Sequence, residues 1–405
     1  MDLKESSIKN ETAFALQRKP LCKNCLLRLF STTSDKTLNQ KQFLQTPGNI
    51  VRTNKTVQCW LCEGITDEFD MFLSLIKKAL EEYEFSSFVI GTHMHESILK
   101  REQFLIELFD NFSAKTLKQS INEYLGTQLE QTKGHLVDFE HPDIMIILDT
   151  TFNVVSLQIK PLYIYGRYNK YERGLPQTKW FCRRCRGKGC RYCSYSGKLY
   201  PENVEELISQ RFLCVSGGSN TLFHGCGRED IDVRCLGNGR PFVLEIKNPK
   251  KRSLNLQEIS KYINQKQKER IAVRGLRSAN VSEIALLKAA EYPKTYRVCI
   301  STEHQISKEK LIKVATTVGG QTLEQFTPQR VAQRRANKIR CRKIFACVVE
   351  SVEINRAILR ITAQSGTYIK EFITGDNGRT KPNISGLLNM PCSVDALDVI
   401  EIQGE

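Results

Sequence analysis

The chain has 405 residues, with 60 Lys and Arg against 44 Asp and Glu, a net charge of +16. At 40% hydrophobic and 26% charged residues it is too apolar for a disordered chain and long enough for two or three cores. The cation excess points to a polyanionic partner, nucleic acid before an acidic membrane surface. No apolar run approaches the ~20 residues of a membrane span, and the first six residues lack the apolar core of a secretory signal. The expected setting is therefore intracellular, nucleus or cytoplasm, without membrane attachment. There the 15 cysteines should hold metal rather than form disulfides.

Residues 1–66 carry the first cysteine cluster. Cys22-Lys23-Asn24-Cys25 and Cys59-Trp60-Leu61-Cys62 are two C-x-x-C knuckles separated by a polar segment. Each knuckle offers two thiolates to one edge of a tetrahedral Zn²⁺, and the segment between them is free to loop out. Four cysteines close such a site, which suits a structural metal. Residues 67–155 read differently. Residues 71–80 predict an amphipathic helix, and Phe85 to Gly91 a strand closed by its glycine. Residues 97–112 and 113–125 predict helices, and 144–149 and 152–159 neighbouring strands. This alternation suits a small α/β or α+β module. His93 and His95 have no Cys or acidic partner at a metal-ligand spacing and read as loop histidines.

Residues 156–405 open on a basic, aromatic string running from Lys160 to Tyr171. Cations meet phosphate and rings stack on bases, so the mixture suits RNA; a strand with inward tyrosines fits the same residues. Cys182, Cys185, Cys190 and Cys193 then form two more knuckles four residues apart. Gly187 and Gly189 let the connection fold back, and basic spacers favour thiolates, so residues 182–193 predict a compact Cys₄ zinc site. A helix should start at 204–208, a strand cover 212–215, and an exposed Lys/Gln-rich helix cover 254–271.

Between these lies His224-Gly225-Cys226-Gly227-Arg228-Glu229-Asp230-Ile231-Asp232-Val233-Arg234, followed by Gly237-Asn238-Gly239-Arg240-Pro241-Phe242. It reads as a turn, a strand, a Gly-rich hairpin turn and a second strand. A carboxylate beside an arginine at such a turn stays ionised and exposed, as a nucleophile requires. Asp230 and Asp232 would share one face of a strand, so periodicity does not choose between them. Further on, 294–300 predicts a basic strand and 344–364 paired strands, with a dense basic run over 329–343 able to track phosphates.

Gly227-Arg228-Glu229-Asp230 resembles the Gly-Arg-x-Asp element of pseudouridine synthases. The string through Arg240-Pro241-Phe242 is similar to one branch of them, the Pus ten family of archaeal and eukaryotic tRNA pseudouridine synthases. Two more motifs follow in order. Lys294-Thr295-Tyr296 resembles a Lys-x-Tyr motif whose tyrosine stacks on the target base. Gly366-Thr367-Tyr368-Ile369-Lys370 resembles a Gly-Thr-Tyr-Ile-Arg element whose basic residue pairs with the catalytic aspartate.

The resemblance implies an α+β chain. A catalytic domain with a mixed or antiparallel sheet would carry the 182–193 insertion, and an N-terminal zinc-bearing, THUMP-like RNA-binding domain would precede it. It selects Asp230 as the catalytic residue and assigns Arg228, Tyr296, Tyr368 and Lys370 to the substrate. Lys370 and Arg228 would favour the ionised aspartate. The implied partner is the T-arm loop of tRNA, modified at position 54, 55 or both by a monomer. Two structural zincs and no organic cofactor are expected. One alternative is a noncatalytic zinc-bearing RNA-binding protein. A methyl or sulfur transferase would need a Gly-rich nucleotide or methyl-donor site, which is missing, and a zinc deaminase would need a His-x-Glu signature, also missing.

Overall fold

The computed structural model describes residues 19–30, 58–108, 114–332 and 336–404. Most of the polar segment between the first two knuckles, the end of the helix expected over 97–112, and 333–335 of the basic run lie outside them. Two compact units divide the chain. One holds Met1–Lys160 with Asn248–Arg252, the other Pro161–Lys247 with Ser253–Glu405. Among the described residues no helix is long and apolar enough to cross a membrane.

The first unit comprises α1 (Lys23–Phe30), α2 (Phe69–Leu80), β1 (Ser87–His93), α3 (Glu96–Leu108), α4 (Leu117–Lys133), β2 (Leu136–Val137), β3 (Ile144–Asp149) and β4 (Val154–Ile159). The strands form one sheet in the order β2-β1-β3-β4, parallel except for the β3–β4 pair. Alternation decides its inner face: Phe88 and Ile90 on β1, and Ile144, Ile146 and Leu148 on β3, are buried. Phe72 and Ile76 of α2 and Leu117, Ile121 and Leu125 of α4 pack into the same core, which also takes Cys25, Cys59 and Cys62. Thr116 and Gln119 form a reciprocal capping box that starts α4. The strand expected to stop at Gly91 runs on to His93, because sheet pairing with β3 continues through Thr92 and His93.

The second unit contains a ten-stranded sheet. Its strands are β5 (Leu162–Lys170), β6 (Asn220–Gly225), β7 (Arg234–Lys247), β8 (Ile271–Ala279), β9 (Lys294–Thr302), β10 (Thr322–Gln325), β11 (Arg340–Glu353), β12 (Arg356–Ala363), β13 (Thr380–Lys381) and β14 (Cys392–Ile402). Their order is β13-β10-β11-β12-β9-β14-β7-β5-β8, with β6 pairing on β7. Helices α5 (Val204–Ser216) and α6 (Leu256–Lys266) cover one half, burying Phe212, Ile259 and Ile263 against β5, β7 and β8. On the other half α8 (Lys308–Val318), α9 (Ile369–Thr374) and α10 (Ile384–Leu388) bury Leu311, Phe372 and Ile384 with Val298 and Leu359. The short α7 (Val281–Ala289) lies between β8 and β9 in the chain.

The two halves of this sheet meet at one seam. There β14 and β7 run parallel and pair through only Asp398↔Arg234 and Val399↔Cys235. Asp398 reinforces it, accepting from Arg234 at 2.6 and 3.0 Å and from Arg173 at 2.5 Å.

Three expectations are corrected. Residues 212–215 are the last turns of α5, not a strand: helix burial of Leu207, Ile208 and Phe212 outweighs a short β-prone run, and Gly217 ends the helix at φ 63°. Gly237-Asn238-Gly239 is not a hairpin turn. The strand continues in one direction on both sides of it, pairing Cys235 with Lys170 and Arg240 with Tyr168 of the same β5, so the glycines form a bulge. Asp230 and Asp232 do not lie on a strand. They belong to a turn closed by the Val233 amide donating to the Asp230 carbonyl at 3.0 Å.

Candidate active site

The Asp230 turn links β6 to β7 and stands beside the seam. Its backbone is held from below. Lys170, fully buried at the end of β5, donates to the carbonyls of Leu175, Ile231 and Asp230 at 2.9, 3.1 and 3.4 Å. Arg173 donates to the Asp232 carbonyl at 2.7 Å and Gln177 to that of Gly227 at 3.1 Å. Glu229 is the turn's buried foot: it pairs with Arg240 at 2.7 Å, both side chains at most 2% exposed, and accepts from the Tyr168 hydroxyl at 3.0 Å. Of the two readings of the string 160–171, Tyr168 and Lys170 take the inward one: they are core residues anchoring this turn, because alternation on the strand sends them inward.

A cleft of about 400 Å³, within the usual range for ligand pockets, opens above the turn. Arg228, Asp230, Tyr296, Tyr368 and Lys370 all line it, with Lys294 and Arg330. Asp232 does not line it, so the structure separates the two aspartates that periodicity left equivalent.

Among the described residues, two cations face the Asp230 carboxylate: Arg330 at 2.8 Å and Lys370 at 3.6 Å. Lys370 lies in the first turn of α9 and is nearer to Asp232, at 2.6 Å. Burial works against the Asp232 charge, but the hydrogen bond and charge of Lys370 outweigh it and hold its carboxyl below the usual carboxylate range. Arg330 is held in turn by Glu371, which accepts from Nε at 2.6 Å and Nη2 at 3.2 Å and is 6% exposed. Arg228 was expected to support the aspartate. Its side chain is exposed and pairs with no carboxylate among the described residues, and the neighbouring Glu229 is taken by Arg240.

Tyr296 sits on β9, only 8% exposed, between Ile361 and Val399 on the neighbouring strands. Burial pushes its hydroxyl up to about 12. Two residues before it, on the same face, Lys294 is buried and donates to Ser365 at 3.0 Å. Burial first, and the charge of Arg240 second, push its ammonium down to about 8. Tyr368 is fixed by a two-way amide clamp: its N–H donates to Gln325 at 2.9 Å, and Gln325 donates back to its carbonyl at 3.0 Å.

Arg330, Glu371, Lys294 and Glu229 did not stand out as site residues in the sequence. Arg330 was visible only as one cation of the 329–343 run, whereas Lys294 and Glu229 lay inside quoted motifs without a role of their own.

Cys22, Cys25, Cys59 and Cys62 bring four sulfurs within 4.8 Å of one another, and Cys182, Cys185, Cys190 and Cys193 do the same. Tetrahedral coordination at a Zn–S distance of about 2.3 Å places sulfurs about 3.8 Å apart. The Cys22–Cys62 pair is at 3.7 Å, and the pairs 182–190, 185–193 and 190–193 at 3.9, 3.8 and 3.7 Å. Backbone N–H groups of Cys22, Gly189 and Gly197 point at Cys59, Cys185 and Cys193 at 3.2–3.3 Å, as thiolate ligands favour. Both clusters fit a closed, four-sulfur metal ion, and no cysteine of either is among the residues lining the cleft.

Two families match the chain: one described as Pus10, C-terminal, over residues 163–403, and one as Pus10 THUMP domain, archaeal, over 72–149. Among curated proteins, the tRNA pseudouridine synthase Pus10 of Methanocaldococcus jannaschii is 41% identical over 85% of this chain and 75% of its own length. The proteins of the same name from Halorubrum lacusprofundi and Methanothermobacter marburgensis are 33% and 36% identical. They match 95% and 94% of this chain over 94% and 95% of their own lengths.

Proposed function

The chain belongs to the Pus10 family, and from that premise we propose that it is a tRNA pseudouridine synthase acting on T-loop uridines at position 54, 55 or both. The observation that carries the chemistry is the placement of Asp230 alone of the two aspartates in a cleft, faced by two cations and walled by Tyr296. A uridine flipped from its stack enters the cleft with its base against the tyrosine ring. Asp230 acts as nucleophile. The bond between the sugar and N1 breaks, the base turns, and C5 joins the sugar carbon; C5 loses a proton and N1 ends protonated, so the atoms balance without a cofactor. Arg330 and Lys370 hold the carboxylate in place, and Glu371 holds Arg330.

Both Cys₄ clusters take zinc in this reading, as structural ions in a reducing compartment, and the enzyme works as a monomer. The test is single-turnover incubation with an unmodified tRNA transcript and chemical mapping of pseudouridine. Wild type should modify the T-loop. Asp230→Ala should bind tRNA and give no product, and Asp232→Ala should stay within about tenfold of wild type, as expected for an exposed ion pair. Wild type that binds tRNA but makes no pseudouridine would return the chain to the noncatalytic RNA-binding alternative.

A further inference from the structure

The second cysteine module is a compact knot. An antiparallel bridge between Phe181 and Lys198 closes its stem. Its glycines allow backbone contacts that no side chain would permit: a Cβ on Gly197 would meet the Gly187 carbonyl at 2.4 Å, and one on Gly189 the Tyr195 carbonyl at 2.7 Å. Four sulfurs lock it from within. What such a module displays outward is therefore held rigidly.

It displays cations and rings. Arg183, Arg184, Arg186, Lys188 and Arg191 are exposed and pair with no carboxylate among the described residues. No Asp or Glu occurs from Arg173 to Pro201. Of the carboxylates flanking this stretch, Glu172 and Glu202 pair with Arg270 at 2.6 and 2.8 Å, Glu206 pairs with Lys198, and Glu205 lies within electrostatic reach of Lys179. Phe181, Tyr192 and Tyr195 are 57%, 59% and 71% exposed. The Arg184 guanidinium lies 4.3 Å from the Tyr192 ring centroid, and the Lys179 ammonium 5.1 Å from that of Phe181. The cations also favour the thiolates, but a structural metal knot has no need of solvent-facing rings beside them.

The stem also starts at the cleft. Gln177 lines the cleft and bonds the Gly227 carbonyl. Lys179 is two residues on and Phe181 four, so their Cα atoms lie within about 7 and 14 Å of that of Gln177. Nucleotides adjoining one held in the cleft are within reach of the start of this stem.

We propose that the exposed face of residues 179–195 is an RNA-binding surface that takes unpaired nucleotides flanking the target uridine, with arginines on phosphates and Tyr192 and Tyr195 on bases. Unneutralised cations suit any polyanion, but solvent-facing rings beside them select unpaired bases over duplex, whose bases are already stacked. The proposal rests on the tRNA-modifying reading above and adds a second contact region to it.

The test uses the full chain and unmodified tRNA transcript, with equilibrium binding measured at several salt concentrations. Arg184→Gln/Arg186→Gln/Arg191→Gln should weaken binding about tenfold or more and make the slope of log affinity against log salt shallower by about 2, as for three phosphates on a single strand. Tyr192→Ser/Tyr195→Ser should weaken binding about tenfold with the slope unchanged, as loss of base stacking does. Lys308→Gln/Lys313→Gln on α8 removes two cations away from the module; set against the double variant Arg184→Gln/Arg186→Gln as its charge match, it should change affinity less than about twofold. Metal content and melting temperature should match wild type in the module variants. The proposal falls if the module variants bind as wild type does, or if the double arginine variant loses no more than the α8 control. Loss in the arginine variant alone overturns the assignment to unpaired bases and leaves a general phosphate contact. Pseudouridine formation by wild type on the same transcript separates the two readings: no product sinks the enzyme reading, whereas product with unchanged variant binding sinks only this one.

Discussion

Lys294 is the residue whose titration should be visible. Its ammonium is buried and its native value of about 8 lies below the ordinary 10.5. Below pH 8 both the folded and unfolded chains keep the proton. Between about 8 and 10.5 the folded chain has lost it while the unfolded chain retains it, so stability rises with pH across that window, by at most about 3 kcal/mol. Over the same window the cleft loses a positive charge, so affinity for tRNA should fall. Wild type should show these opposite trends in urea unfolding and in tRNA binding, and Lys294→Met should lose the Lys294 share of both. Parallel trends in wild type, or unchanged trends in the variant, would argue against the assignment. The sequence made Asp230, Tyr296 and Lys370 legible because each sits in a short motif. Arg330 and Glu371 were not legible, because their role is set by contacts between distant segments and neither has a local pattern of its own.

At the level of elements, the bulge in β7 shows how the turn is placed. Arg167 donates to the carbonyls of Asn238 and Gly239 at 2.8 and 3.0 Å, and Asn238 bonds Ile402 in both directions at 2.8 and 3.1 Å. Gly237 has φ 57°, and a Cβ there would meet the Ile400 carbonyl at 1.7 Å. Gly237→Ala should therefore force β14 away from β7, destabilising the second unit by more than the ~1 kcal/mol of backbone strain alone and lowering pseudouridine formation in proportion. Denaturant unfolding and single-turnover assays would check it; a variant as stable and active as wild type would refute it. Strands such as β1, β3, β9 and β12 could be read from short β-prone runs in the sequence. The bulge could not, since a Gly-Asn-Gly run fits a turn equally well until its two flanks are seen to share a partner. The end of α5 failed for the related reason that a short apolar run has no period of its own.

The whole molecule is two units, each with one candidate metal cluster among the described residues, and the clusters differ in burial. Cys25, Cys59 and Cys62 belong to the hydrophobic core of the first unit, whereas in the second cluster only Cys182 is buried and Cys185, Cys190 and Cys193 are half-buried. Metal analysis should find two zinc ions per chain. Cys25→Ser and Cys190→Ser should each remove one, and Cys25→Ser should lower the melting temperature more, because a closed zinc site inside a core contributes directly to folding. Equal small effects would place both ions outside the folding unit. The resemblance placed the division into accessory and catalytic parts between residues 155 and 156; the compact units divide at Lys160, with Asn248–Arg252 joining the first.

The seam has a consequence for the order in which this protein is made. β14 follows every other strand in the chain, yet it lies between β9 and β7 near the middle of the sheet. A ribosome releases the segments bearing Asp230, Tyr296 and Lys370 before it releases the strand that joins their halves. Until β14 emerges, the aspartate and its cations belong to two half-sheets without a common frame. The nascent chain therefore acquires its cleft in one late step, and a chain stopped before Cys392 carries every cleft motif discussed above without a place for them to meet.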